Sequence, residues 1–331
     1  MGEEGTRASA WRLVVPVLVA LGMLLAAQAV PAVLFPEGAA LASGVVVLGQ
    51  ADWAASPGRL VTVVPVAALG GVGLARSGLA PWQAELVGLV GVLGLLRVIG
   101  SRLAPALSAA LIPSVFHVTS FAYPASVAVV CGLLASGLAL GRGRPGPPAA
   151  RSRAGRPTRR GFSPLASSLV AVVAGALIVV AGVSQGAPAG LVAPPLFVSL
   201  LELVDGEGTG WAGSSWGRRG TTLAVRWASL VAAAGLGALV VGELGHGWAV
   251  VVPLVALEGL VVAVLWGRGL RHPPPAALVL VPLLTGHFAA GRFAVGVALG
   301  AAWVCGAGGL ARVGLEALRR RGAPTRGTLD G

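Results

Sequence analysis

An arginine, a histidine and three consecutive prolines, Arg271-His272-Pro273-Pro274-Pro275, head an apolar stretch that runs from Ala276 to Leu284 and on to His287. Proline has no amide hydrogen and disfavours the helical conformation in the residue before it, so three in a row can introduce a helix but not lie inside one. A guanidinium and an imidazole at a helix start suit a small anion. The first amides of a helix are unbonded, its dipole favours negative charge there, and histidine changes charge near neutral pH. A second stretch, Arg102-Leu103-Ala104-Pro105 running to Pro113 and His117, keeps the arginine and a proline but has no histidine at its head. Two more ionisable residues fall inside apolar runs, Glu258 between Leu257 and Gly259, and Arg226 within the run 221–241. Charges so placed are costly unless they pair or face an aqueous path. Glu258 and Arg226 are expected to pair across the bundle, either as a structural ion pair or as part of a solute path. The candidate substrate-binding residues are therefore Arg271, His272, Glu258, Arg226, His287, Arg102 and His117. Glu37, directly after Pro36, is expected to sit at a helix start as a cap, and Glu85 and Glu202, near the ends of their runs, to reach the membrane interface.

The chain that must position these residues is 56% hydrophobic and only 11% charged, with a mean hydropathy of +0.86. That composition is too apolar for a water-soluble globule and reads as an integral membrane protein whose first partner is the lipid bilayer. The formal charge of +12 does not indicate a nucleic-acid partner, because most of the basic residues, all of them arginine, lie in short gaps between apolar runs, where they set topology. Cys131 and Cys305 fall inside apolar runs, which excludes a secreted disulfide framework and favours plain packing. No phosphate-binding glycine loop with a lysine, paired-cysteine metal motif or nucleophile elbow is present, so the reading is of a protein that is not an enzyme and needs no metal or cofactor.

Along the chain, polar residues 1–10 precede a first span over 11–34, retained rather than cleaved because the leader carries Glu3 and Glu4 as well as Arg7. Further apolar runs follow to Leu140, and then the composition changes. Residues 141–161 hold seven arginines among Gly, Pro, Ser and Ala, a basic cytoplasmic linker that also suits anionic lipid headgroups. The second half repeats the plan. Pro188-Ala189-Gly190 answers Pro36-Glu37-Gly38, Arg218 answers Arg59, Trp248 answers Trp82, Arg271 answers Arg102, and Val304-Cys305-Gly306 answers Val130-Cys131-Gly132. The expected fold is an all-α polytopic membrane protein of two parallel six-segment helical repeats, about 12 segments with some short or broken helices, since several runs fall below the roughly 20 residues needed to cross straight. The domains are residues 1–140 (first repeat), 141–161 (linker), 162–314 (second repeat) and 315–331 (basic cytoplasmic tail). An even number of crossings per half places both termini and most arginines on the cytoplasmic face of the plasma membrane.

Pro188-x-Gly190, Leu196-Phe197, a polar turn ending in Arg218, two spans and then His272-Pro273-Pro274-x-Ala276 together resemble the HPP family of bacterial and plant membrane proteins, named for its His-Pro-Pro motif. The resemblance covers roughly Pro188 to Leu284. Pro275 stands where the family has a small residue, and the first half lacks the histidine. Members of that family are short, with few spans, and some are associated with nitrite transport. The resemblance implies a fused tandem relative in architecture; the tandem halves, the proline-broken segments and the intramembrane Glu258 and Arg226 point to an integral membrane permease for a small solute such as a small anion. The competing reading is a non-transporting scaffold or subunit that anchors partners through its arginine-rich linker and tail. Self-association into a homo-oligomer is open under either.

Overall fold

The computed structural model describes residues 3–48, 50, 53, 56–142, 169, 172–180, 193–205, 216–285 and 290–321, and these contain helices and no strands. In chain order they are α1 (Glu3–Ala29), α2 (Glu37–Ala42, continuing as a π-helical turn over Ser43–Val47), α3 (Pro57–Ala75), α4 (Pro81–Ile99), α5 (Pro105–Val115) and α6 (Ala122–Arg142). The helical stretch 172–180, α7, is followed by α8 (Pro194–Asp205), α9 (Trp216–Leu244), α10 (Val251–Gly267), α11 (Pro274–Leu280, tightening to a 3₁₀ turn over Val281–Leu284) and α12 (Ala290–Arg321). Seven of these, α1, α3, α4, α6, α9, α10 and α12, are long and apolar enough to cross a membrane, as expected of a multi-pass membrane protein. The basic linker beyond Arg142, the tail beyond Arg321 and His287 lie outside the described residues.

Long and short helices are buried differently. On α3 the buried side chains Leu60, Val63, Val64, Ala67, Ala68, Gly71 and Val72 recur every three or four residues, which puts them on one face. The opposite face is also apolar, with Val61, Val66 and Leu69 exposed, as a helix in contact with lipid requires. By contrast α2, α5, α8 and α11 are buried along nearly their whole length. These four short helices occupy the centre: α2 packs on α11, α11 on α8, α8 on α5, and α5 on α2. The long helices stand around them, and α1 lies against α10.

A helix that begins in an apolar interior would leave its first amides without partners, at a cost of several kcal/mol each. Each short helix avoids this in the same way. Pro36, Pro105, Pro194-Pro195 and Pro273-Pro274-Pro275 stand at the starts, where a proline has no N–H to satisfy. The next amides fold back at once: Gly38 to the Phe35 carbonyl, Ala106 to Leu103, Leu196 to Ala193 and Ala276 to Pro273, at 2.8–3.0 Å.

Two glycines bring the centre against the surround. A Cβ at Gly71 of α3 would lie 2.3 Å from the Ala110 carbonyl oxygen of α5, and one at Gly237 of α9 would lie 2.3 Å from that of Val279 in α11. The backbones touch, and only glycine permits it. The ends of α3 also fix how α5 runs. Arg59, near the start of α3, donates to the Gly100 carbonyl at 3.0 Å, while Arg76, at its far end, lies over the Phe121 ring at 4.7 Å. The segment from Arg102 to Phe121 therefore covers the same depth as α3, about 28 Å at 1.5 Å per residue, although only 11 of its residues are α-helical.

Gly71→Ala and Gly237→Ala are expected to lower stability by about 1–3 kcal/mol each through overpacking against a backbone that cannot move aside. Gly73→Ala, with open space around its Cβ, should be neutral or stabilising by up to about 1 kcal/mol. Thermal unfolding of the detergent-solubilised variants measures both.

Candidate functional site

The polar centre is built on Glu202 of α8. Three donors from separate parts of the chain converge on its carboxylate. Arg226 of α9 lies 3.4 Å from Oε2 through a guanidinium nitrogen, His272 Nδ1, just ahead of α11, lies 3.1 Å from the same oxygen, and Gln50 Nε2, between α2 and α3, donates to Oε1 at 3.3 Å. The second Gln50 amide contact is the Arg271 carbonyl, also at 3.3 Å. Because the ionised carboxylate only accepts, this arrangement puts the imidazole proton on Nδ1. His272 Nε2 is buried and makes no hydrogen bond among the described residues. Glu202 and His272 are each 2% exposed and Arg226 3%, so the charges are shielded from water and hold one another in place.

The local sequence explains the placement. Arg226, Leu230, Ala233, Ala234 and Gly237 follow helical spacing on the inner face of α9, while Val225 and Trp227 beside the arginine are exposed. α8 is buried on all sides, so Glu202 has no route to solvent wherever it points. His272 is brought inward by the proline-started helix that follows it. Pro273 packs on Gly44 in the π-helical turn of α2, where an added Cβ would lie 3.0 Å from the proline ring and 2.6 Å from Trp53.

Several sequence expectations are corrected here. Arg226 pairs with Glu202 and not with Glu258. Glu258 meets the Ser43 hydroxyl at 3.5 Å, and its other oxygen has no hydrogen-bond partner among the described residues. Arg271 and His272 do not share one environment, since Arg271 is exposed and His272 is buried. Nor does the start of α11 offer free amides, since its first positions are prolines and Ala276 is already bonded. Glu202 and Glu85 do not reach an interface and are both buried. Glu37 does stand in the first turn of α2, with its own backbone amide and the Ser108 hydroxyl near its carboxylate, but it is buried and among the described residues makes no well-formed hydrogen bond there. Ahead of α5, Arg102 is exposed. His117 is exposed too and takes the left-handed conformation (φ 54°), closing α5 as the Val118 amide reaches back to the Pro113 carbonyl at 2.9 Å.

Sequence reasoning gave Glu202 a peripheral role and did not single out Gln50. For Glu202 the usable signal was its place between Leu201 and Leu203 in an apolar run; Gln50, two residues ahead of Asp52 at the head of a polar turn, carried none. Among the described residues no group of three or more His, Cys, Asp or Glu side chains could hold a metal ion. An apolar groove of about 660 Å³ lies between α1 and α6, lined by Val15, Val19, Met23 and Val130 among others, and none of the polar-centre residues borders it. Comparison of the chain with family models, with curated proteins and with solved structures finds no match.

Removing one member of a buried pair leaves a bare charge, so Arg226→Gln should lower stability by about 3–5 kcal/mol. Glu202→Gln with Arg226→Gln should cost clearly less than the sum of the single changes, whereas Glu258→Gln with Arg226→Gln should be additive within about 0.5 kcal/mol. Unfolding midpoints of the four-variant cycles measure the two couplings. His117→Gly, which relieves a side chain in the left-handed region, should leave stability unchanged or raise it by up to about 1 kcal/mol in the same assay.

Proposed function

We propose that the protein is a permease for a small anion, and that solute passes where the four proline-started helices meet. The observation that carries this reading is the convergence of Arg226, His272 and Gln50 on one buried carboxylate at that meeting point. A soluble protein uses such a cluster to fix a fold, but in a membrane chain buried ionisable groups mark solute and ion paths by default, and broken helices at the centre are where transporters bind.

The chain is read as two parallel six-segment halves. Corresponding features support it: Gly71 against Ala110 and Gly237 against Val279, and α4 and α10 each stopped by a left-handed glycine, Gly100 and Gly269. In both stops the following amide reaches back to close the helix at 2.8 Å, Ser101 to Leu96 and Leu270 to Leu265. Parallel halves meet at a centre built from both, as Gln50 of the first and Glu202 of the second do here. On this reading the chain is a fused relative of the HPP family in the plasma membrane, with both termini cytoplasmic. Arg102 and Arg271 are then arginines of the cytoplasmic face, outside the binding centre.

Purified protein in liposomes should carry at least one of nitrite, nitrate, formate or chloride down its gradient. Arg226→Gln or His272→Ala, checked for correct folding, should cut that flux by about tenfold or more, the factor expected for losing about 1.4 kcal/mol of solute interaction. Absence of flux for every anion, with one protein partner consistently co-purifying, would replace the permease by the scaffold.

A further inference from the structure

The donors around Glu202 have the make-up of an anion site. Arginine, histidine and a side-chain amide, all from different segments, are turned on a single pair of carboxylate oxygens, and the first two share Oε2. Nothing in the packing demands that the anion be part of the chain. We infer that Glu202 is an internal anion occupying the permease's own binding site, and that a solute anion binds by taking its place while the Glu202 carboxylate takes up one proton. This rests on the permease reading and adds the coupling ion to it.

The reasoning is one of charge balance. Arg226 supplies one fixed positive charge in an interior that screens poorly, and two anions cannot share it without a large repulsion. If Glu202 becomes a neutral acid, with the proton drawn from water, the entering anion restores the original net charge. One anion and one proton therefore move together. Among the described residues, His272 is the one other titratable group in contact with Glu202 and so the alternative proton acceptor, and the charged groups of the neighbouring elements lie elsewhere or have partners of their own. α5, packed against α8, has no ionisable side chain from Pro105 to Val115. On α12, Cys305 lies toward Arg226, Arg312 donates to the Val204 carbonyl at 3.0 Å, and Glu316 pairs with Arg312 at 3.2 Å. From α11 come only His272 and the Arg271 carbonyl, and Glu258 on α10 is engaged with Ser43.

The test is nitrate binding to the full-length protein in detergent, by titration calorimetry between pH 5.5 and 8.5. For the wild type, affinity should weaken by up to about tenfold per pH unit raised, the slope for one linked proton. Glu202→Gln removes the internal anion, so at the upper end of that range it should bind nitrate about tenfold or more tighter than the wild type, with little pH dependence. Nitrate should also raise its melting temperature more. If Glu202→Gln does not fold, His272→Gln decides: adding nitrate to that variant, weakly buffered at the upper end of the range, should still make the solution more alkaline by one proton equivalent per nitrate bound, and loss of that uptake would assign the proton to the imidazole and overturn the inference. Wild-type binding without proton uptake, or pH-independent binding unchanged by Glu202→Gln, would overturn the inference and leave the permease standing. No nitrate binding to either protein would overturn it too, while the flux panel decides the permease separately.

Discussion

No backbone amide can be left unpaired in an interior without water, and the layout of this protein follows from that constraint. A straight helix of some 20 residues meets it by keeping both ends at the membrane surfaces. The four central helices are too short for that and begin inside. Their proline starts remove amides that would have no partner, and in α5, α8 and α11 the first remaining amide closes a tight turn onto a carbonyl three residues back, as Gly38, the second amide after Pro36, does in α2. Seen in this light, the run Pro273-Pro274-Pro275 is a structural solution before it is a motif of recognition: three successive positions at a buried helix start have no donor to satisfy.

Such starts are also what allow polar side chains to meet at the centre. Just ahead of α11, Arg271 and His272 part company, the first exposed and the second buried, while the Arg271 carbonyl is left for Gln50. The buried charges are compensated locally. Glu202 answers Arg226, and the neutral amide of Gln50 completes the carboxylate without adding charge. Replacing such a group by well-packed apolar side chains costs little stability in many proteins, so the cluster is not needed for cohesion alone.

Much of this was legible in the sequence. The apolar runs gave the spans, the prolines gave the short helices, and Arg226, Glu258 and His272 could be recognised as anomalous for their surroundings. The choice of partners was not legible. Arg226 stands 24 residues from Glu202, His272 stands 70 away and Gln50 stands 152 away, so their contact is a property of how four short helices pack and leaves no local pattern. Glu202 read as interfacial because it lies near the end of its run, an argument that holds only for a helix reaching the surface. His117 read as a ligand because histidine carries chemistry. The left-handed backbone that makes it a helix stop cannot be read from residue type.

The glycine contacts constrain which parts of this protein move independently. At Gly71 and Gly237 one backbone rests on another with no side chain between them, and a contact of that kind has no rotamers to exchange and no slack to take up. α3 with α5, and α9 with α11, must therefore travel as rigid pairs. Contacts between the pairs, of α8 with α5 and of α2 with α11, are made through side chains that can repack. Glu202, on α8 between α5 and α11, stands at one of those seams.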